Sequence, residues 1–309
     1  MNLERFRGSL TALVTPFEDN GDIDIPALER LIDFQLANGS DGLVMCGTTG
    51  EGATLSDAQF ETLIKATMVR VADRVPVVVG TGSNNTQVAV QQTQRAKELR
   101  ADAALVVGPY YNKPTQDGYY KHFEAIANRV DLPIIVYNVP GRTSGMIDWR
   151  TILRLAIIPN IIAVKEASGS FSQWTQLVRK RPDDFLLFSG DDMLSMSQLA
   201  IGGDGVISVV ANETPDLMSG MIHASLEGDF EKARKIYLTL FPLMDANFVE
   251  TNPIPVKCAL ALMGMIKENY HLPLTKIEEV NRYRMRNILK DIHILSGGSD
   301  GKVENEARY

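Results

Sequence analysis

Cysteine and histidine are scarce in this sequence. Its 309 residues include only two cysteines, Cys46 and Cys258, and four histidines. Two cysteines are too few for a disulfide framework, and their apolar surroundings are typical of buried free thiols in a reducing compartment. The histidines are scattered and lack metal-site spacing such as His-Glu-x-x-His. We therefore expect neither a disulfide scaffold nor a metal centre.

Long apolar runs and an excess of basic charge are also missing. No apolar stretch approaches the roughly 18 residues that a membrane span needs, and residues 1–7 are polar, unlike a signal peptide. The 31 lysines and arginines are outnumbered by 38 acidic residues, giving a formal net charge of −7. This balance argues against nucleic acid as a partner. We expect a soluble, cytoplasmic protein with no membrane partner.

What the chain does contain is a repeated alternation of short apolar runs with amphipathic segments. The apolar runs are 9–14, 42–46, 76–80, 103–107, 133–137, 161–165, 185–188 and 205–209, and the clearest helical segments are 25–37, 56–71, 86–99, 116–129 and 171–179. Eight such units predict an α/β fold, the (β/α)8 barrel. An open doubly wound sheet is the alternative, but no Gly-x-Gly-x-x-Gly follows the first run.

The chain continues beyond the eighth unit. Three further helical stretches are predicted at 229–247, 255–265 and 275–294. The organisation expected from this pattern is a barrel over 1–226 and a C-terminal helical region over 227–294. Residues 295–309 contain three glycines and scattered charges with little to bury, so we expect a disordered tail there.

The most informative residue is Lys165, which ends the apolar run 161–165. In a barrel of this type, functional groups lie at the carboxyl ends of strands and in the loops that follow. Partial burial there lowers the pKa of an amine and makes it a nucleophile for carbonyl chemistry. Taken alone, a lysine that extends its ammonium group into solvent is the more common case. Its neighbours at other strand ends decide the matter.

Three other strand ends carry polar groups. The second opens into Gly47-Thr48-Thr49-Gly50-Glu51-Gly52, a tight turn with exposed N–H groups suited to a carboxylate, or else an ordinary turn that caps a helix. The fourth and fifth bring Tyr111 and Tyr137, phenols that can pass a proton or simply form an amphipathic rim. Arg142 follows Tyr137 and offers a two-pronged donor for an anion. Four such strand ends together favour a catalytic site.

With these motifs in place, the chain resembles the pyruvate-dependent class I aldolases, the N-acetylneuraminate lyase family. The resemblance covers residues 4–294. It rests on Gly47-Thr48-Thr49-Gly50-Glu51, on Tyr137-Asn138-Val139-Pro140-Gly141-Arg142-Thr143, on Lys165-Glu166-Ala167-Ser168-Gly169 and on the segment from Phe248 to Lys257. Within the family, Thr-Thr in the first motif and Arg142 in the second are typical of members whose acceptor is L-aspartate 4-semialdehyde.

The resemblance implies a reaction and a set of site residues. Lys165 would form a Schiff base with pyruvate, and the enamine would attack L-aspartate 4-semialdehyde to give 4-hydroxy-tetrahydrodipicolinate, a precursor of diaminopimelate and lysine. Thr48, Tyr137 and Tyr111 would relay protons. Substrate contacts would come from Thr49, Arg142, Gly190 and Ile207. No metal or organic cofactor is implied, because the lysine supplies the electron sink.

Two further expectations come from the same resemblance. In this family the tyrosine that matches Tyr111 reaches in from a neighbouring subunit, and the usual assembly is a homotetramer built as a dimer of dimers. Members inhibited by L-lysine carry histidines and a glutamate at positions that hold Asp57, Phe60 and Val88 here, whereas Asn84 and Tyr110 of that pocket are kept. We therefore expect weak or absent inhibition by lysine.

Three alternatives compete with this interpretation. The first is an aldolase on the same scaffold that acts on a sugar acid such as N-acetylneuraminate or a 2-keto-3-deoxy sugar acid. The second is a non-catalytic paralogue, which predicts a lost catalytic position; every expected position is filled here. The third is a phosphate-handling isomerase barrel, which needs glycine-rich loops after the seventh and eighth strands. Gly202-Gly203-Asp204-Gly205 instead precedes the eighth strand.

Overall fold

A computed structural model describes residues 2–295, in which eight parallel strands form a closed barrel. The strands are β1 (Gly8–Ala12), β2 (Gly42–Met45), β3 (Val77–Gly80), β4 (Ala103–Val107), β5 (Ile134–Asn138), β6 (Ile161–Glu166), β7 (Leu186–Ser189) and β8 (Gly205–Ser208). Each strand pairs with the next one in the sequence, and β1 closes the barrel against β8. The predicted (β/α)8 architecture is confirmed.

Twelve α-helices accompany these strands within residues 2–295. They are α1 (Ile25–Ala37), α2 (Asp57–Val71), α3 (Thr86–Glu98), α4 (Gln116–Arg129), α5 (Pro140–Thr143), α6 (Trp149–Leu155), α7 (Phe171–Lys180), α8 (Asp192–Ala200), α9 (Pro215–Leu226), α10 (Phe230–Ala246), α11 (Ile254–Leu262) and α12 (Glu279–Asp291). Local signals set their starts: Ser56 and Gln59 form a reciprocal capping box on α2, and the Asp24 carboxylate accepts the Ala27 N–H on α1. No ranges were predicted for α5, α6, α8 and α9.

Successive residues of each strand face opposite sides of the barrel wall. On β2, for example, Val44 packs with the interior cluster, whereas Leu43 and Met45 pack with the helices outside. Because both faces of the barrel wall are buried, successive positions of a strand must be apolar, which explains the continuous apolar runs in the sequence. Phe6, which precedes β1, packs with the interior cluster and fills its amino-terminal end.

The last three helices pack against the barrel. Leu240 and Leu243 of α10 and Met285 of α12 share one apolar cluster with Val206 of β8 and Met221 of α9. This cluster joins the two parts, and the division into a barrel over 1–226 and a helical region over 227–294 stays a prediction. Of the predicted tail 295–309, residues 296–309 lie outside the described range. Among the helices described, none has the length and apolar character needed to cross a membrane.

Candidate active site

β5 and β6 place Tyr137 and Lys165 side by side at the carboxyl end of the barrel. The two residues are in register on adjacent strands. Each lies two positions after an interior residue, Ile135 and Ala163 respectively, and therefore faces inward. Lys165 Nζ lies 4.4 Å from the centroid of the Tyr137 ring, and the two residues are 6% and 7% exposed. Lys165 is thus buried in the barrel mouth and does not reach into solvent.

Burial governs the protonation of both side chains. It lowers the pKa of Lys165 to about 8, with the negative charge of Asp192 opposing the shift and the positive charge of Arg142 adding to it. It raises the pKa of Tyr137 to about 12, while Arg142 and the neighbouring Thr48 side chain oppose that rise. A free amine is consequently accessible near neutral pH, and the phenol keeps its proton.

A cavity of about 140 Å3 opens at this end of the barrel. Its lining includes six of the predicted residues, namely Thr48, Thr49, Tyr137, Arg142, Lys165 and Gly190. These six come from the ends of four strands and the loops that follow, which is where barrels of this type carry their chemistry. The volume is suited to a small ligand.

The Gly47–Gly52 segment forms the tight turn that its glycines predict. The N–H of Glu51 donates to the Thr48 carbonyl at 3.1 Å, and the N–H of Gly52 donates to the Gly47 carbonyl at 3.1 Å. A Cβ on Gly52 would lie 2.0 Å from the Cys46 carbonyl oxygen, so only glycine fits there. Thr49 is buried by this turn, whereas Thr48 is partly exposed to the cavity.

Two hydrogen bonds connect residues at the cavity to Asn252, in the segment that follows the barrel. The Asn252 side-chain amide donates to Thr49 Oγ1 at 3.0 Å. Arg142, on the short helix α5, donates through Nη2 to the Asn252 carbonyl at 3.4 Å and otherwise remains exposed beside the cavity. Its remaining guanidinium N–H groups are available for an anionic ligand.

Gly190 follows β7 and packs directly against the lysine. A Cβ at this position would lie 3.0 Å from Lys165 Cε and 2.7 Å from Ala167 Cβ. The absence of a side chain at Gly190 therefore leaves room for the Lys165 stem. Ile207 is buried on β8 within the interior cluster and is not among the described residues that line the cavity.

Tyr111 lies apart from the other predicted residues. Its side chain is 89% exposed, and its backbone adopts a positive φ of 70°. Among the residues that the structure describes, those lining the 140 Å3 cavity do not include Tyr111. Within a single chain, then, Tyr111 projects into solvent and does not meet Tyr137.

Three polar residues at or next to the cavity were not predicted as site residues. Asp191 and Asn252 line it, and Asp192 acts on Lys165 through its charge. Asp192 Oδ2 accepts the N–H groups of Val209 and Val210 at 3.0 and 2.9 Å, which fixes the carboxylate. Burial raises the pKa of Asp192 to about 6. Asp191 and Asp192 could have been predicted, because they follow the end of β7 closely. Asn252 could not be found in this way, because it does not follow a strand.

Comparison with known proteins agrees with this geometry. Residues 5–292 match the model of the dihydrodipicolinate synthetase family. The chain belongs to that family. A 4-hydroxy-tetrahydrodipicolinate synthase from Syntrophus aciditrophicus is 48% identical over 290 residues, which cover 94% of this chain and 99% of that protein.

Solved structures give the same result for the fold. The crystal structure of dihydrodipicolinate synthase from Aquifex aeolicus is 44% identical, with a TM-score of 0.91, and the match covers 94% of this chain and 99% of that one. A structure described as the first monomeric dihydrodipicolinate synthase variant is 43% identical, with a TM-score of 0.93, and covers 94% and 98%. The resemblance deduced from the sequence motifs is therefore confirmed.

Proposed function

We propose that this protein condenses pyruvate with L-aspartate 4-semialdehyde to give 4-hydroxy-tetrahydrodipicolinate, a precursor of diaminopimelate and lysine. The observation that carries the proposal is a buried lysine, Lys165, in register with Tyr137 at the mouth of a barrel of this family. A relative that is 48% identical is named 4-hydroxy-tetrahydrodipicolinate synthase, after the product of this reaction. This name favours the proposed reaction over the sugar-acid alternative.

The first step is formation of a Schiff base. The backbone N–H groups of Thr48 and Thr49, two residues that line the cavity, hold the carboxylate of pyruvate. The neutral Lys165 amine attacks the ketone carbon, and loss of water gives an iminium ion on Nζ. The iminium then draws electrons from the adjacent methyl group, which loses a proton and leaves an enamine. No metal or organic cofactor is needed for this step.

The second step forms the carbon–carbon bond. The enamine carbon attacks the aldehyde of L-aspartate 4-semialdehyde, whose oxygen receives a proton through the relay of Tyr137, Thr48 and Tyr111. Arg142 pairs with the carboxylate of this substrate. Gly190 and Ile207 match positions that contact the substrate through backbone groups in the family, although Ile207 is not among the described residues that line the cavity in a single chain. The amino group of the condensed product then attacks the iminium carbon, closes the ring and releases Lys165 by transimination.

We also propose a homotetramer built as a dimer of dimers, in which Tyr111 completes the site of a second copy. The 89% exposure of Tyr111 in a single chain supports this arrangement. A monomeric variant exists among the structural neighbours, so the assembly needs its own test. Light scattering and the Tyr111→Phe variant provide it: a tetramer that loses activity with Tyr111→Phe supports the proposal, and an active monomer contradicts it.

The proposed location is the cytoplasm. Cys46 and Cys258 are both free and buried, as expected for thiols in a reducing compartment. Fractionation of cells that produce the protein tests this directly.

The proposed reaction is tested by a steady-state assay with two acceptors. Turnover of pyruvate with L-aspartate 4-semialdehyde, and little with N-acetylmannosamine or small aldoses, is the expected result. Activity confined to the sugar acceptors would favour the sugar-acid aldolase instead. A folded protein that is inactive with both kinds of acceptor would support the alternative of a non-catalytic paralogue.

A further inference from the structure

A fully buried ion pair joins the turn at the active site to a helix more than two hundred residues away. Lys257 Nζ of α11 lies 2.5 Å from Glu51 Oε1, and both side chains are 0% exposed. The residues are 206 positions apart in the sequence. Glu51 belongs to the Gly47–Gly52 turn, whereas Lys257 lies outside the catalytic cavity.

Within residues 2–295, the groups that bond to the Glu51 carboxylate all lie in the chain beyond the barrel. Its second oxygen, Oε2, accepts the backbone N–H of His271 at 2.9 Å. The Lys257 ammonium lies 4.3 Å from the Phe17 ring centroid and 5.0 Å from that of Tyr270, so it is enclosed by aromatic faces. Both partners therefore have little freedom to move.

The turn needs such an anchor. Glu51 has a φ of +54°, a left-handed conformation that is unfavourable for a residue with a side chain. Its N–H is bonded to the Thr48 carbonyl, so a change at Glu51 is transmitted to Thr48. Stability alone is a poor reason to bury these charges, since well-packed apolar side chains often serve as well. What the pair provides is a fixed conformation of the turn.

We propose that Lys257 is a positioning residue for the reaction: through Glu51 it holds the turn so that the N–H groups of Thr48 and Thr49 remain aimed at the carboxylate of pyruvate. This inference rests on the proposed function. It assigns a role in catalysis to α11, a helix of the region that follows the barrel.

The test compares Lys257→Met with the charge-free double variant Glu51→Gln/Lys257→Met. In both, the KM for pyruvate should rise about tenfold or more, while kcat and the KM for L-aspartate 4-semialdehyde change less than about threefold. The double variant leaves no uncompensated buried charge, so it keeps the test valid where the single variant fails to fold.

A matched control separates positioning from general destabilisation. Asp204 is also buried and paired, with Arg181 and Arg7, but it precedes β8 at the opposite end of the barrel. Asp204→Asn should leave the KM for pyruvate unchanged. A normal pyruvate KM in the double variant, or an equal rise in Asp204→Asn, overturns the proposal. Failure of the proposed function itself is recognised separately: the protein without substitutions would then form no borohydride-trapped pyruvyl adduct on Lys165.

Discussion

Lys165 Nζ lies 4.4 Å from the centroid of the Tyr137 ring, and the two residues are paired in register on β5 and β6. This contact places an amine and a phenol within one small cavity. Because burial disfavours charge on either group, the amine is available as a nucleophile and the phenol as a proton donor. The predictions below follow from this relationship and from the groups around it.

Removing the hydroxyl of Tyr137 should impair proton transfer without disturbing the lysine. Tyr137→Phe keeps the ring beside Lys165 and should lower kcat by about 10²- to 10⁴-fold. Thr48→Val removes its neighbour in the relay and should act on the same step. The double variant should therefore lose much less than the product of the two single losses, and fully multiplicative losses would show that the residues act independently.

A side chain at Gly190 should displace the nucleophile. In Gly190→Ala the new Cβ would lie 2.7 Å from Ala167 Cβ, closer than such atoms pack, and 3.0 Å from Lys165 Cε, a contact tight enough that the lysine stem must move. A displacement of about 1 Å can reduce the rate about 10²-fold. We expect this loss in the rate of Schiff-base formation measured by stopped flow. Gly141→Ala is the matched control, because a Cβ there meets nothing within 4 Å; equal losses in both variants would contradict this account.

The reaction with pyruvate should depend on the protonation of Lys165. Since its pKa is lowered to about 8, the free-amine fraction, and with it kcat/KM for pyruvate, should rise about tenfold per pH unit well below that value and level off above it. Asp192 raises the pKa of Lys165 by its negative charge. Asp192→Asn should therefore shift the midpoint of the profile to lower pH.

The Asp192→Asn substitution is mild in geometry, because an amide oxygen can still accept the N–H groups of Val209 and Val210. The charges that shift the pKa of Lys165 are those of Asp192 and Arg142, so Asp191→Asn, at the adjacent position in the sequence, serves as the comparison. The midpoint of the pH profile of kcat/KM for pyruvate should not change in Asp191→Asn. A midpoint that stays fixed in Asp192→Asn, or rises, would contradict the electrostatic role of this carboxylate.

Lysine should inhibit this protein weakly or not at all. Asp57, Phe60 and Val88 line one cavity together with Tyr110, and the Asp57 carboxylate is already paired with the Arg95 guanidinium at 3.1 Å. Val88 offers an ammonium group nothing to pair with. Steady-state assays with L-lysine check this, and half-inhibition by a submillimolar concentration would contradict it.

The barrel and the core of the site were predictable from short-range patterns. Each strand is an apolar run bounded by turn residues, and the strand-end rule located Lys165, Tyr137 and the threonine turn. Helix α8 escaped prediction because its buried face carries Ser195 and Gln198, which breaks the apolar spacing.

Contacts over long sequence distances were not predictable in this way. Asn252 reaches Thr49 across 203 positions, and Lys257 reaches Glu51 across 206. Neither pairing leaves a local periodicity, since each depends on how the helices after the barrel pack on it. Tyr111 is a different case, because its proposed partner lies in a second copy of the chain.

The most direct test of the central claim is the intact mass of the protein after incubation with pyruvate and borohydride, followed by peptide mapping. The account predicts a reduced pyruvyl adduct on Lys165, one per chain, that is absent in Lys165→Met. A folded protein that gains no adduct, or gains it at another lysine, would contradict the Schiff-base mechanism.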